Sequence, residues 1–335
     1  MPMTLSEMRV GMTDKISQHV VDTFIRESEI LEMLPFDNCI SPSGGSTLTY
    51  GYIQKKLPSS TAFRAINSEY APSQATVEEK NVKLKVFGGA FEIDRVIKDA
   101  EGRYNNMAMQ TEEKIKSAIG TFHNAMINGD SAVDANSFDG LDKFLVGQST
   151  EFNTGEVIDL STMEKIKANA DLFYEALLKL INSTGAQAIM VNADMKTKIQ
   201  TVARILGYKT ESEEAFGRVI TTIGEGKVRI VDLKNVVTVS GSGDDAVAVE
   251  TPVIGVKSRS VGGASQTGIT DIYAVKFSTL DGFHGVTLTG NSGINQYMPD
   301  FNTPGAVKKG EVEMVACVAL KNVKSAGVLR NIKIR

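Results

Sequence analysis

Two runs of alternating apolar and polar residues, joined by a long connection with little to bury, constrain this chain more than any other feature. Leu48, Tyr50 and Tyr52 alternate with Thr47, Thr49 and Gly51, and Val82, Leu84 and Val86 alternate with Lys83, Lys85 and Phe87. Each run has the period of a half-buried strand, and the two are expected to pair antiparallel. The connection over 54–81 carries Pro58, Pro72, Ser59, Ser60, Thr61, Ser68, Ser73 and Gln74, with Leu57, Phe63, Ile66 and Tyr70 as its sizeable apolar groups. A structureless connection of that length is uncommon inside a compact domain and is usually functional. A limb of about 18 residues extends roughly 60 Å at about 3.3 Å per residue, against a radius of gyration of roughly 20 Å for a compact chain of this size. The pattern is that of an arm built to lie on another molecule.

The 335 residues are 42% hydrophobic and 23% charged, an ordinary globular composition with room for about two domains and a real core. A formal net charge of −4 argues against a protein whose main business is gripping nucleic acid, because backbone binding needs a concentrated Lys/Arg surface. Cys39 and Cys317 are far apart and lack metal-type spacing, so they read as small buried hydrophobes in a reducing compartment. No run approaches the roughly 18 apolar residues of a membrane span, and no secretory signal opens the chain, so no membrane partner is expected. Over 5–34, Met8, Met12, Ile16, Val20, Phe24 and Leu31 fall near helical spacing with acids on the other faces, as in an amphipathic N-terminal arm.

The apolar phase shifts from even to odd positions near Gly88 and Gly89, which predicts a β-bulge there. Tyr104, Ala108, Ile115, Ile119, Phe122 and Met126 then share one face of a helix over 102–128, with Gly129 as its C-terminal cap. Residues 129–155 form a loop with a small apolar plug at Phe138 and Leu141. Ser161 and Glu164 read as a capping box for a second helix, whose stripe is Ile166, Ala170, Phe173, Leu177 and Leu180 and which ends before Gly185. A short buried strand at 188–191 leads to Asn192, the cap of a third helix with Met195, Ile199, Val202 and Leu206 inward. Strands are expected at 228–233, 236–239, 246–249, 272–277, 286–288 and 312–320, with turn-rich segments at 240–245 and 258–268. Helices and strands in blocks make the class α+β.

No catalytic constellation emerges. His19, His123 and His284 are scattered, with no HExxH and no Cys/His cluster, and His123 reads as a packed or solvated histidine. The glycines form neither GxGxxG nor GxxxxGK[ST] nor GxSxG, and Gly224-Glu225-Gly226-Lys227 lacks the remaining positions of a phosphate loop. The pairs Glu78-Glu79, Glu112-Glu113 and Glu213-Glu214 are adjacent, which suits a solvated face rather than two carboxyls held across a cleft. No enzyme activity and no cofactor are expected.

The order of parts resembles the major capsid protein of tailed bacteriophages, with the Hong Kong 97 fold, over essentially the whole chain. The resemblance rests on an N-terminal arm, a long hairpin loop, a long helix, a Phe138-Asp139-Gly140-Leu141 loop, an α/β block and long return strands, not on any short motif. It implies an N-arm at 1–45, an E-loop at 46–93, and a P-domain segment at 94–160 with its spine helix at 102–128. An A-domain at 161–269, P-domain strands and P-loop at 270–322, and a closing segment at 323–335 that rejoins the A-domain complete the division. Tyr50, Tyr52, Lys55, Lys56, Leu57, Phe63, Arg64, Glu78, Glu79 and Lys80 become the assembly residues of the E-loop. Tyr104, Ala108, Ile115, Ile119, Phe122 and Met126 become the packing face of the spine.

What the resemblance implies for function is a virion shell of pentamers and hexamers, assembled in the host cytoplasm and enclosing double-stranded DNA without reading its sequence. The arm begins almost at Met1, without the scaffolding region that many members carry ahead of it, so a separate scaffolding protein and a portal are expected as partners. Some members form Lys–Asn isopeptide links between subunits; Lys55 and Lys56 are the candidate lysines here, though adjacent loop lysines normally form a charged edge. The alternative is an encapsulin-type bacterial nanocompartment, which shares the fold and packages a cargo enzyme. The third class, an enzyme with an unfamiliar α+β site, has no constellation to support it.

Overall fold

The computed structural model describes residues 29–39, 48–99, 106–207, 211–215, 218–223, 228–240, 247–288 and 294–335. The expected apolar stripe from Met8 to Phe24, and Tyr104 at the start of the long helix, lie outside these residues. In chain order, α1 (Glu29–Met33) and β1 (Phe36–Asn38) precede a hairpin of β2 (Thr49–Leu57) and β3 (Thr76–Lys83), then β4 (Lys85–Asp94), α2 (Arg95–Asp99) and the long α3 (Asn106–Asn128). Next come α4 (Leu141–Leu145), β5 (Glu151–Phe152), β6 (Ile158–Asp159), α5 (Met163–Thr184), β7 (Ala188–Val191) and α6 (Ala193–Ile205). Strands fill the remainder: β8 (Glu211–Ala215), β9 (Arg218–Ile223), β10 (Val228–Asp232), β11 (Asn235–Ser240), β12 (Val247–Pro252), β13 (Lys257–Val261) and β14 (Ala264–Val275). The last four are β15 (Phe283–Thr287), β16 (Asn295–Tyr297), β17 (Val307–Leu320) and β18 (Ala326–Lys333). The class is α+β.

One body is built on a nine-stranded sheet in the order β5-β18-β14-β7-β10-β9-β8, with β13 added to β14 and β6 to β18. Along β7, Ala188 and Met190 enter the core that contains α3, whereas Ile189 and Val191 enter the core beneath α5 and α6. Both faces of the strand are covered, which is why it reads as an unbroken apolar run. The cap of α5 differs from the expected one: Thr162 accepts from Lys165 N at 3.3 Å. Ser161 is instead claimed by Asp159 Oδ1, through its amide at 2.9 Å and its hydroxyl at 2.6 Å. Asn192 caps α6 by accepting from Met195 N at 2.8 Å.

The segment expected to be turn-rich at 258–268 is a hairpin. Val261 pairs with Ala264 across Gly262 and Gly263, whose φ values of 58° and 83° suit a two-residue turn between right-twisted strands. β14 runs unbroken through the expected domain boundary at 269/270, and β5 and β6 carry residues 151–159 into this sheet rather than the other body. β18, in the closing segment, lies between β14 and β5.

The second body is a five-stranded sheet in which the fourteen-residue β17 is central: β15 and β16 pair along it, β4 joins it, and β1 runs parallel to β15. β4 therefore belongs to this sheet and not to the arm. Its register against β17 is continuous from Lys85↔Ala316 to Asp94↔Val307, with no bulge at Gly88-Gly89. A Cβ on Gly88 would sit 2.0 Å from Val312 O, so close approach of the partner strand is the reason for glycine there. The change of phase occurs at Leu84, where β3 ends and β4 begins.

α3 packs on β4 and β17 of this sheet and on β11, in a core that also takes in Met190 of β7 and Tyr273 of β14. Phe122 is wholly buried, with the rings of Phe36, Phe87 and Phe138 at centroid distances of 6.3, 6.0 and 6.0 Å. Ile115, Ile119 and Met126 are buried on the same face. Ala108 is exposed, contrary to expectation, because the helix reaches past the core there; the buried stripe begins at Thr111, whose hydroxyl donates to Met107 O at 2.8 Å. Gly129 is not a left-handed cap either: a Cβ there would lie 2.2 Å from Phe138 O, so it admits the plug formed by Phe138 and Leu141.

Candidate assembly interface

The β2–β3 hairpin has an anchored root and an uncovered tip. Its register runs from Thr49↔Lys83 to Leu57↔Thr76, and its inward positions are Tyr50, Tyr52 and Gln54. Tyr50 donates its hydroxyl to Asp37 Oδ2 at 2.6 Å, Tyr52 donates to Leu320 O at 3.0 Å, and Gln54 Nε2 donates to Lys321 O at 3.1 Å. Lys321 Nζ lies 5.4 Å from the Tyr50 ring centroid and 3.9 Å from Asp37. Burial pushes the Tyr50 hydroxyl well above its ordinary pKa, and the adjoining Asp37 carboxylate reinforces the effect. Asp37 stays below the usual carboxylate range despite its own burial, because the Tyr50 hydroxyl and Lys321 favour its charge. Tyr50 and Tyr52, expected at the assembly interface, are thus attached to the chain's own body.

Beyond Gln54 the hairpin leaves that body. Lys55, Lys56, Leu57, Phe63, Arg64 and Glu79 are exposed; Phe63 exceeds full exposure at 108% and Ile66 reaches 91%. Glu78 is half-buried and pairs with Lys80 at 3.1 Å. The tip has local order without a core: Arg64 donates to Ser68 O at 3.1 Å and lies 5.2 Å from the Tyr70 ring centroid. Across the loop, Ser60 N donates to Ser73 Oγ and Ser73 Oγ donates to Ser60 O, both at 2.8 Å. Ile53, Leu57, Phe63, Ile66, Tyr70 and Val77 make this an apolar surface on a projecting element, the kind of surface a partner covers. On α3, Glu112 and Glu113 are also exposed, with Lys116 at 2.9 and 3.9 Å.

A buried charge cluster, not foreseen from sequence, ties α4 to the nine-stranded sheet. Arg330 on β18 donates to Glu151 at 2.8 Å and also to Asp142 and Asp271. Asp271 on β14 receives two bonds from Arg259, at 2.9 and 2.7 Å, and Tyr273 donates to Asp142 at 2.9 Å. Burial opposes ionisation of Asp142, yet Arg330 and the Tyr273 hydroxyl hold its carboxyl below the usual range. The fork geometry of arginine suits this cluster, in which one guanidinium serves three carboxylates. An Arg amid apolar residues at 328–332 was the available sequence signal, but its partners are up to 188 positions away.

No family model and no curated protein matches the sequence. Solved structures do match. The chain resembles the holo-SrpI encapsulin of Synechococcus elongatus PCC 7942 at TM-score 0.57 and 12% identity, over 91% of this chain and 87% of that one. It resembles the capsid of a native GTA particle at TM-score 0.55 and 9% identity, over 90% and 89%. It resembles Mycobacterium phage Bobi at TM-score 0.54 and 10% identity, over 92% and 90%. The fold is the Hong Kong 97-type capsid fold.

Proposed function

We propose that this chain is a shell subunit, the major head protein of a tailed bacteriophage, and that copies of it close into a container for double-stranded DNA. The observation that carries the reading is the projecting hairpin, rooted by Tyr50, Tyr52 and Gln54 and uncovered from Leu57 to Val77, on a capsid fold. The tip of one subunit would lie over a neighbour's P-domain, with Lys55, Lys56 and Arg64 facing acids such as Glu112 and Glu113 at the start of the neighbour's spine. Each such contact is modest. Closure makes every later contact effectively intramolecular, so weak pairwise interfaces suffice and errors can dissociate during growth. A separate scaffolding protein and a portal belong to this reading.

The expression test is electron microscopy of purified particles, with absorbance at 260 nm recorded on them. Closed shells containing DNA from a phage-producing host support the reading; a soluble monomer at every concentration and salt tried contradicts it. The unassembled subunit, with net charge −4, is expected to bind a labelled duplex poorly even at about 50 mM salt, where phosphate binders hold most tightly. Micromolar or tighter binding that collapses as salt rises would place nucleic-acid binding ahead of a passive wall.

The likeness to an encapsulin at TM-score 0.57 favours a second reading, a bacterial nanocompartment shell. Particles that carry a defined protein cargo and no nucleic acid distinguish it from the first.

A further inference from the structure

The root of the hairpin contains a buried histidine that shell formation by itself leaves unused. His284 on β15 has no exposed surface. Its Nδ1 lies 3.3 Å from Gly282 O, which assigns the proton of the neutral ring to Nδ1, and its Nε2 has no hydrogen-bond partner among the described residues. The Tyr50 ring meets the imidazole edge-on at 5.8 Å. That same Tyr50 anchors β2 through Asp37, with Lys321 over its ring. The charged groups acting on His284 are Lys321, which disfavours its protonation, and Asp37, which favours it. Cys39 and Cys317 act on the same tyrosine, and burial raises the pKa of both thiols, Cys317 to about 12, so neither supplies a charge near neutrality.

We propose that His284 is a proton-sensitive latch for the hairpin: an acidic medium protonates Nε2, and the new N–H recruits Asp37, releasing the tyrosine that holds β2. The inference rests on the hairpin being the assembly arm, and it supplies a regulation for that arm. The proton comes from solvent and forms the Nε2–H bond; no other covalent bond changes. A buried imidazolium without an acceptor is unfavourable, and a second cation beside the Lys321–Tyr50 contact adds repulsion. Burial is also the main reason that the anchored ring has a pKa below 6.5. The sign follows from linkage. The released state takes up the proton more readily, so the anchored root has its full stability above pH 6.5 and loses it as the pH falls toward the lowered value.

The test is hydrogen exchange on the unassembled full chain between pH 7.5 and pH 5, expressed as protection factors corrected for intrinsic exchange. Protection over 48–54 is expected to fall by about threefold or more, the linkage signature of one proton taken up on release. His284→Phe keeps a ring against Tyr50 and removes the titration, so its root protection is expected to be flat. Unchanged protection in the wild type, or an equal fall in the variant, overturns the latch. Should the variant fail to fold, an imidazole NMR titration of the wild type decides: His284 must protonate at the pH where root protection falls. A ring that stays neutral until global unfolding contradicts the proposal. Failure to form shells at neutral pH would instead sink the arm reading and leave the exchange result intact.

Discussion

The β2–β3 hairpin and the β14–β18 pair are both antiparallel, yet they hold their apolar residues in opposite ways. Ile272, Ala274, Val328 and Leu329 lie between packed layers, while Ile53, Leu57 and Val77 lie open. The ladders have the same chemistry; what differs is cover. An isolated two-stranded hairpin is marginal in water, so the outer half of β2–β3 gains its stability from whatever lies against it. Substitutions at β14–β18 and around α3 should therefore act on folding, and substitutions beyond Gln54 should act on association.

The largest effects on folding are expected in the covered region. Phe122→Ala removes a ring packed against Phe36, Phe87 and Phe138 and should cost about 3–5 kcal/mol in chemical denaturation. Arg330→Ala leaves Asp142, Glu151 and Asp271 without their common cation, and breaking such a buried cluster costs about 3–5 kcal/mol as well. An unchanged melt for either variant would erase the distinction drawn between the regions.

Acid should weaken the covered region through α3. Burial, helped by Lys234, holds the His123 pKa at about 4, below its ordinary 6.5. The unfolded chain binds the proton more readily across that window. Stability is thus complete above pH 6.5 and falls by about 3 kcal/mol on reaching pH 4. Denaturation midpoints measured from pH 7 to 4 check this, and His123→Gln should flatten that part of the slope. The smallest effect on folding belongs to the tip: Phe63→Ser should stay within about 0.5 kcal/mol of wild type while weakening assembly. A clear loss of monomer stability would mean that the phenylalanine is covered in the free subunit.

What could be read from sequence was local. The hairpin pattern, the α3 stripe from Ile115 to Met126, the Phe138 plug and the Asn192 cap depend on neighbours within a few turns or strand residues. The partner strands of the nine-stranded sheet were harder to see. Thr270, Asp271, Arg330 and Asn331 interrupt the apolar patterns of β14 and β18, and each is accommodated by a residue remote in sequence: Asn192 bonds Thr270 at 2.9 Å, and Asn331 Nδ2 reaches Asn153 O at 2.9 Å. The hairpin site was legible as a projection but not in its division of labour. Tyr50 and Tyr52 have the composition of interface residues, and only the positions of Asp37 and the Leu320 carbonyl show that they root the arm.

Stability is expected to end at the root of the hairpin and association to begin beyond it. The register Gln54↔Glu78 allows residues 55–77 to be removed and the strands closed with Asn-Gly, leaving the three anchors in place. Calorimetry and electron microscopy of this variant beside wild type make the most direct test. The expected result is an unchanged melting transition with no closed shells; normal shells, or a subunit that no longer folds, would contradict it.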